Sequence, residues 1–346
     1  MENKTEPWNM VEDRTSVEPR HFLGRHTALG QLAIKPKVWR RIPYLRENEG
    51  RAPPIVLAVG DRRRVRAIAR KLRNPILLPE TVAKLSNRGV RARDLSLAAE
   101  SGRVAMAIGN YGSVPILIVE TQMGAPAVQI IMNEILSDEL TANEYKIGHE
   151  KFELKHKIVL RIGTAGGINC EGAEPINVGD VVNATHSLGA TGAIIQSLSG
   201  LDFWRPETLQ AFRGEWLRLG PDFTYTTGGH PKVECSGEVI DAIDMAAHRL
   251  PRQAYHKGGN VTKDSLYAEL SDEAFLNLCR TENCRTTEME LSAIAASSRE
   301  HNASFGMISA IVGTLPGSSF AEDEKLKGLA ERRAIQVALE SVKRLV

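Results

Sequence analysis

The chain has 346 residues, of which 42% are hydrophobic and 25% are charged, a balance typical of soluble globular proteins and not of disordered ones. Its 44 lysines and arginines nearly cancel its 42 aspartates and glutamates, so the formal charge of +2 predicts no general attraction to nucleic acid or membranes. The four cysteines lack metal-ligand spacing, and the polar first twenty residues lack a secretory signal pattern. We therefore expect a cytoplasmic protein without a metal site.

The predicted elements begin after an N-terminal arm. Residues 1–54 are charged, weakly periodic and interrupted by prolines, which predicts little regular structure. Residues 55–346 contain no low-complexity linker and predict one domain, in which short β-branched strands alternate with helices as in α/β folds. In chain order, strands are predicted at 55–59, 104–108, 116–119, 158–162, 180–184 and 306–312, and helices at 64–72, 127–136, 238–250, 290–298 and 322–346.

One strand carries an arginine in an apolar run. Arg161 lies among the apolar residues of 158–162, and its guanidinium cannot lose its proton, so burial requires an anion or a carboxylate beside it. Gly163, Gly166 and Gly167 follow and predict a turn whose main-chain N–H groups a ligand can approach closely. This segment predicts an oxyanion pocket at the carboxyl end of the strand. A structural arginine–carboxylate pair beside an ordinary turn explains it equally well.

Further segments extend this pattern. They are Val59–Val65, Glu120–Pro126, Arg161–Thr164, Val178–Val182 and Glu288–Glu290. In this order and at these separations they resemble the nucleoside phosphorylase family, which includes uridine phosphorylase and the hexameric-type purine nucleoside phosphorylases. The resemblance covers roughly residues 30 to 346. It implies that residues 55–346 are a catalytic domain with three α/β/α layers and a mixed, strongly twisted central sheet.

The resemblance implies a reaction and a role for each matching residue. The family cleaves the N-glycosidic bond of a nucleoside with inorganic phosphate, giving ribose 1-phosphate and the free base. The implied phosphate site consists of Gly60, Arg64, Arg88, Arg161 and Thr164, with Arg88 entering from a second subunit. The implied ribose site consists of Gln31, Glu288, Met289 and Glu290. In this implied ribose site, Glu290 would accept hydrogen bonds from the 2′ and 3′ hydroxyls of the ribose.

Three of these residues, Arg64, Arg161 and Glu290, are expected to carry the catalysis. The neighbouring Arg62 and Arg63 are better explained as a solvated charge run at a helix start. Because Arg88 would complete the site of a neighbour, we expect a homodimer or a larger homo-oligomer with shared active sites. Phosphate is a co-substrate in this scheme, and no cofactor is expected.

The sequence departs from the family mainly around the base. Uridine phosphorylases place a glycine, a glutamine and an arginine after the segment that here reads Asp264–Tyr267, and this chain lacks them. Purine-type members place an acid after the strand that corresponds to Ile308–Val312, and this chain continues there as Gly313–Gly317 without one. In addition, Gln31 aligns with a ribose-binding histidine, and Gln122 replaces a glycine.

The leading prediction is therefore a ribonucleoside phosphorylase that favours uridine, because uracil departs as an anion more readily than a purine does. A purine nucleoside phosphorylase is the alternative, since the short span between Asp264 and Glu288 resembles purine-type members. A non-catalytic nucleoside-binding protein of the same fold is a different class of explanation. A dinucleotide-binding oxidoreductase is disfavoured, because the glycine spacing is not GxGxxG.

Overall fold

The computed structural model describes residues 43–78, 104–137, 140–189, 224–225, 231–264, 273–316 and 323–346. Gln31 and Arg88 lie outside these ranges, as do the first 42 residues of the predicted arm. The last part of that arm contains a short helix, α1 (Pro43–Glu47), which the sequence did not predict. Its Leu45 is fully buried, and Asn48 bonds to the backbone N–H and carbonyl of Lys146. These contacts stabilise a helix too short to form alone.

Helices and strands alternate through the rest of the described residues. The longer helices are α2 (Arg62–Ala69), α3 (Ala125–Leu136), α4 (Gly237–Ala247), α5 (Glu273–Thr281), α6 (Leu291–Glu300) and α7 (Glu324–Val342). The strands are β1 (Ile55–Val59), β2 (Arg73–Leu78), β3 (Met106–Tyr111), β4 (Val114–Glu120), β5 (Glu144–Ile147), β6 (Glu150–Glu153), β7 (Ile158–Ile168), β8 (Val181–Gly189), β9 (Thr224–Tyr225), β10 (Pro231–Glu234), β11 (Tyr255–Thr262), β12 (Cys284–Glu288) and β13 (Ser304–Leu315).

Eleven strands of the described residues form one mixed sheet, in the order β2-β3-β4-β1-β7-β12-β11-β8-β10-β9, with β13 outside this path. Strand β1 lies between β4 and β7 and is parallel to both. Strand β13 pairs with β7 on one side and with β8 on the other. The strands β7, β12, β11, β8 and β13 therefore close into a ring, which bends one end of the sheet.

Two hydrophobic layers cover the sheet, because alternate side chains of each strand point to opposite faces. On one face, Val56 and Val159 pack with α3 and α6. On the other face, Leu57 and Leu160 pack with α2, α4 and α7. The predicted mixed α/β class with a twisted central sheet is confirmed. No helix in the described part of the chain is long and apolar enough to cross a membrane.

Strand β7 corrects one sequence prediction. The glycines at 163, 166 and 167 were expected to form a turn, but β7 continues through all three to Ile168. The reason is tertiary pairing, since β13 runs alongside β7 as far as Leu315 and β12 pairs with Gly166 and Gly167. Close packing explains the glycine at 167, where an added Cβ would lie 2.8 Å from the Ile176 Cγ2 atom. Arg161 is therefore within a strand, level with the end of β1.

The packing of α4 on β13 gives a prediction about stability. A Cβ added at Gly306 of β13 would lie 2.5 Å from the Val239 Cγ1 atom on α4. We expect Gly306→Ala to lower the free energy of unfolding by about 1–3 kcal/mol, because the core has no space for the methyl group. Urea unfolding measures this change.

Gly237→Ala is the matched control, because a Cβ at Gly237 would have no atom within 4 Å. Equal unfolding free energies for the Gly306→Ala and Gly237→Ala proteins would contradict the close packing of α4 on β13.

Candidate active site

Arg161 is buried in β7, with only 3% of its surface exposed. Its Nη1 donates to the Thr121 hydroxyl at 2.7 Å, and its Nη2 donates to the Glu290 Oε2 atom at 2.6 Å. The third nitrogen of the guanidinium, Nε, is also buried and has no hydrogen-bond partner among the described residues. An unpaired buried donor is costly, so the Nε–Nη2 edge of the guanidinium is suited to an additional acceptor such as a bound anion.

Arg64 approaches the same place from α2. Asp61 is the N-cap of α2, and its carboxylate accepts hydrogen bonds from the backbone N–H groups of Arg63 and Arg64. It also accepts from the Arg64 Nε atom at 2.9 Å, while the Arg64 Nη1 atom donates to the Ile162 carbonyl. Burial opposes ionisation of Asp61, but the Arg64 charge and hydrogen bonds hold the pKa of Asp61 below its ordinary value. The guanidinium of Arg64 is thereby fixed in position.

The two guanidinium groups converge beside Gly60, the residue that follows β1. A Cβ added there would lie 3.5 Å from the Arg64 Nη2 atom and 3.7 Å from the Arg161 Nη2 atom. Gly163 faces the same arginine, because its added Cβ would lie 3.2 Å from the Arg161 Nε atom. Without side chains at these two positions, both arginines border one space. Two fixed guanidinium groups at one point are an arrangement that binds oxyanions.

Glu290 lies against this space and connects it to α3. Its Oε1 atom accepts a hydrogen bond of 2.8 Å from the Gly124 N–H, and Gly124 is the N-cap of α3. Glu290 is itself the N-cap of α6. The N-termini of α2, α3 and α6 therefore meet at the site, and helix N-termini favour negative charge. They stabilise the Glu290 carboxylate and would stabilise an anion beside it.

Glu288 is buried behind Glu290 and accepts several hydrogen bonds. Its Oε1 atom accepts from the Asn260 side-chain amide and the Thr262 hydroxyl, both at 2.8 Å. Its Oε2 atom accepts from the backbone N–H groups of Glu290 and Leu291. Burial and the charge of Glu290 raise the pKa of Glu288, and Arg161 and these donors offset only part of that effect. Glu288 fixes the backbone that presents Glu290.

The turn between β4 and α3 has an unusual backbone. Gln122, which replaces the glycine expected from the resemblance, has φ +61°, and Gly124 has φ +89°. Positive φ is costly for a side chain other than glycine, by about 1 kcal/mol or more. Gln122 therefore adopts a left-handed backbone conformation that glycine would adopt at lower cost. The turn brings the Gly124 N–H to Glu290 and leaves the Met123 side chain 74% exposed beside it.

Comparison with known proteins identifies the family of the chain. A family model described as the phosphorylase superfamily matches residues 54–343. The chain belongs to the phosphorylase superfamily. No curated protein sequence matches the chain.

Two solved phosphorylases have a similar fold. One is a purine nucleoside phosphorylase from Toxoplasma gondii in complex with immucillin-H, with 17% identity, a TM-score of 0.55, and coverage of 84% of this chain and 90% of that one. The other is a uridine phosphorylase from Vibrio fischeri complexed with 6-hydroxy-1-naphthoic acid, with 19% identity, a TM-score of 0.55, and coverage of 84% and 92%. At these identities the likeness establishes the fold and does not identify the substrate.

The structure of this phosphorylase superfamily member places most of the predicted site residues together. Gly60, Arg64, Arg161 and Glu290 border one space, and Glu288 supports Glu290. Thr164 lies three residues beyond Arg161 on β7 and Met289 lies between the two glutamates, both partly exposed. The roles of these residues in binding remain predictions, and Gln31 and Arg88 lie outside the described residues.

The solvated interpretation of the neighbouring arginines fits Arg63 but not Arg62, whose side chain is 35% exposed and lies against the buried Glu120. The Arg63 side chain is 86% exposed, and the Arg62 Nε atom lies 3.7 Å from Glu120.

Sequence reasoning missed four supporting residues, namely Asp61, Thr121, Asn260 and Thr262. The sequence contained a signal for the role of Asp61, because an aspartate just before a predicted helix is a common N-cap. Thr121 lies inside a matching segment but had been given no role.

The raised pKa of Glu288 leads to a prediction about pH. We expect the unfolding free energy of the wild type to fall, relative to Glu288→Gln, by at least about 1 kcal/mol as pH rises from about 4 toward neutrality. Over this range the folded protein keeps a proton on Glu288 that the unfolded chain has already lost, so stability declines until pH exceeds the raised pKa. Urea unfolding of both proteins at several pH values measures the difference.

Glu153→Gln serves as the control for loss of a glutamate charge, since the side chain of Glu153 is 64% exposed. A constant difference between wild type and Glu288→Gln across this pH range would show that the pKa of Glu288 is not raised.

Proposed function

We propose that the protein is a nucleoside phosphorylase that transfers the ribosyl group of a ribonucleoside, with uridine favoured, to inorganic phosphate. The products would be ribose 1-phosphate and the free base, as in nucleoside salvage. The observation that carries this proposal is the convergence of Arg64 and Arg161 on Gly60, directly beside the carboxylate of Glu290. Membership of the phosphorylase superfamily supports the same reaction class.

Phosphate would bind in the space between the two arginines. Its oxygens would accept from the Nη2 atom of Arg64 and from the Nε–Nη2 edge of Arg161, whose Nε has no partner in the part of the chain that the structure describes. Two fixed guanidinium groups desolvate a multiply charged anion at lower cost than flexible groups would, because they are already oriented. We propose that Thr164 and the Arg88 side chain of a second subunit complete this site, so the active form is a homodimer or a larger assembly.

Glu290 would bind the 2′ and 3′ hydroxyls of the ribose. Each of its oxygens accepts one hydrogen bond in the structure, and a carboxylate oxygen can accept a second. As the bond between C1′ and the base nitrogen breaks, positive charge develops on the sugar, and the nearby carboxylate and phosphate stabilise it. A phosphate oxygen then forms the new bond to C1′. Met289 would pack on the sugar and Gln31 would bond to its 5′ hydroxyl.

The base leaves with the electron pair of the broken bond and takes a proton from solvent. A uracil anion is a better leaving group than a purine anion, which favours uridine in a chain whose segment 313–317 lacks the acid of purine-type members. Phosphate is the co-substrate, and the reaction requires no cofactor or metal. A cytoplasmic location agrees with this use of phosphate and nucleosides.

The test is phosphate-dependent release of free base from uridine, thymidine, inosine, adenosine and methylthioadenosine. We expect turnover of uridine that depends on added phosphate and is faster than turnover of inosine. Turnover of inosine alone would identify a purine nucleoside phosphorylase instead. Tight nucleoside binding in a calorimeter, without product from any nucleoside, would identify a non-catalytic binding protein and refute the proposed activity.

Gly60→Ala gives a direct test of the phosphate position. The new methyl group would make ordinary contacts with the two arginines, at 3.5 and 3.7 Å, so we expect a stable, folded protein. It would occupy the space assigned to phosphate and displace the anion by about 1 Å or more. We expect kcat/KM for phosphate to fall by about a hundredfold, the usual cost of such a displacement.

Gly237→Ala, on the surface at the start of α4, is the matched control and should leave the kinetics unchanged. Wild-type phosphate kinetics in the Gly60→Ala protein would place the phosphate somewhere else.

A further inference from the structure

Thr121 lies at the junction of three strands. It follows β4, it is fully buried, and its backbone N–H donates to the carbonyl of Val59 at the end of β1. Its hydroxyl accepts the hydrogen bond from the Arg161 Nη1 atom at 2.7 Å. Thr121 therefore contacts the strand before Gly60 and the arginine beside it.

The direction of these hydrogen bonds is fixed by chemistry. A guanidinium only donates, so the Thr121 hydroxyl must act as an acceptor toward Arg161. Its own proton is then directed to the nearest acceptor, the Val59 carbonyl at 3.1 Å, with the Gln122 carbonyl further away at 3.4 Å. The hydroxyl therefore links Arg161 to Val59 through two hydrogen bonds.

Together with the ion pair between Nη2 and Glu290, this link sets which edge of the guanidinium faces the anion space. With Nη1 held by Thr121, the planar group presents Nη2 to Glu290 and Gly60, and it presents Nε to Gly163. Without the hydroxyl, Nη1 would lose its buried acceptor, and the guanidinium would be freer to rotate. Because the group is planar, this rotation would move both Nη2 and Nε away from the anion space. An arginine that binds through two nitrogens depends on its orientation more than on its charge.

We propose that Thr121 is the positioning residue for the phosphate site and that its hydroxyl orients Arg161 toward the bound oxyanion. This proposal rests on the proposed function, because it assumes that the anion between Arg64 and Arg161 is inorganic phosphate. The hydroxyl itself does not touch phosphate. A threonine or a serine satisfies this role, whereas valine, which has the same shape as threonine, does not.

The experiment measures binding of inorganic phosphate to the nucleoside-free, full-length protein by calorimetry. Thr121→Val and Thr121→Ala should each raise the Kd for phosphate by about tenfold, the usual effect of losing a hydrogen bond to a charged group. Thr121→Ser keeps the hydroxyl and should stay within about twofold of the wild type. If the second methyl group of valine prevents folding of Thr121→Val, the Thr121→Ala protein provides the measurement instead.

A buried threonine far from the site provides the control. Thr141 is 1% exposed, and its hydroxyl donates to the Ile135 carbonyl at the opposite end of α3 from Gly124. Thr141→Val should lower the melting temperature by about as much as Thr121→Val does, without changing phosphate binding. A purely structural role for Thr121 would give the two variants the same phosphate affinity.

Two results would overturn the proposal in distinguishable ways. If the wild type binds phosphate and both Thr121→Val and Thr121→Ala bind it equally well, Thr121 does not orient Arg161, and the phosphorylase assignment stands. If the wild type binds no phosphate and forms no product, the proposed function fails and the positioning role fails with it.

Discussion

The buried ion pair between Arg161 and Glu290 is the interaction on which the rest of the site depends. Transfer of either charge from water into the protein costs several kcal/mol, and a pair repays this cost only with close contact and further hydrogen bonds. Here the contact is 2.6 Å, Thr121 accepts from the arginine, and the Gly124 N–H donates to the glutamate. Arg161 lies on β7, and the other three groups lie at the ends of β4, α3 and α6, so the pair fixes these four elements relative to one another.

Stability alone does not explain such a pair. Well-packed apolar side chains of similar volume are often at least as stabilising as a buried ion pair. The surroundings add further costs, including the Nε of Arg161 that has no partner among the described residues, the raised pKa of Glu288 and the left-handed backbone of Gln122. Costs of this kind concentrate where a protein binds or reacts, because binding requires charge and strain held in place before the ligand arrives. Their location beside Gly60 is therefore physical support for a ligand site.

The sequence predicted the α/β class and the requirement of Arg161 for an anion or a carboxylate. Both followed from local rules, namely the alternation of strands and helices and the cost of a buried guanidinium. The carboxylate, Glu290, lies 129 positions away from Arg161 in sequence. Only the family resemblance predicted that the two residues share a site. Local rules failed at Gly163–Gly167, which were predicted to turn. Pairing with β12 and β13 overrides the turn preference there, and that pairing is a tertiary property that no local pattern reveals.

Reaction class and substrate identity depend on different parts of this site. Phosphate and ribose are common to all ribonucleoside phosphorolysis, so under the proposed function Arg64, Arg161 and Glu290 would determine the type of reaction and could not separate uridine from inosine. Discrimination must come from the base. A pocket that hydrogen-bonds the base can discriminate by about 10⁴-fold or more, whereas fit to apolar shape gives about 10- to 200-fold for each methylene. Under the proposed function, changed base-reading residues beside the same anion and sugar geometry would therefore alter the selectivity more than the type of reaction.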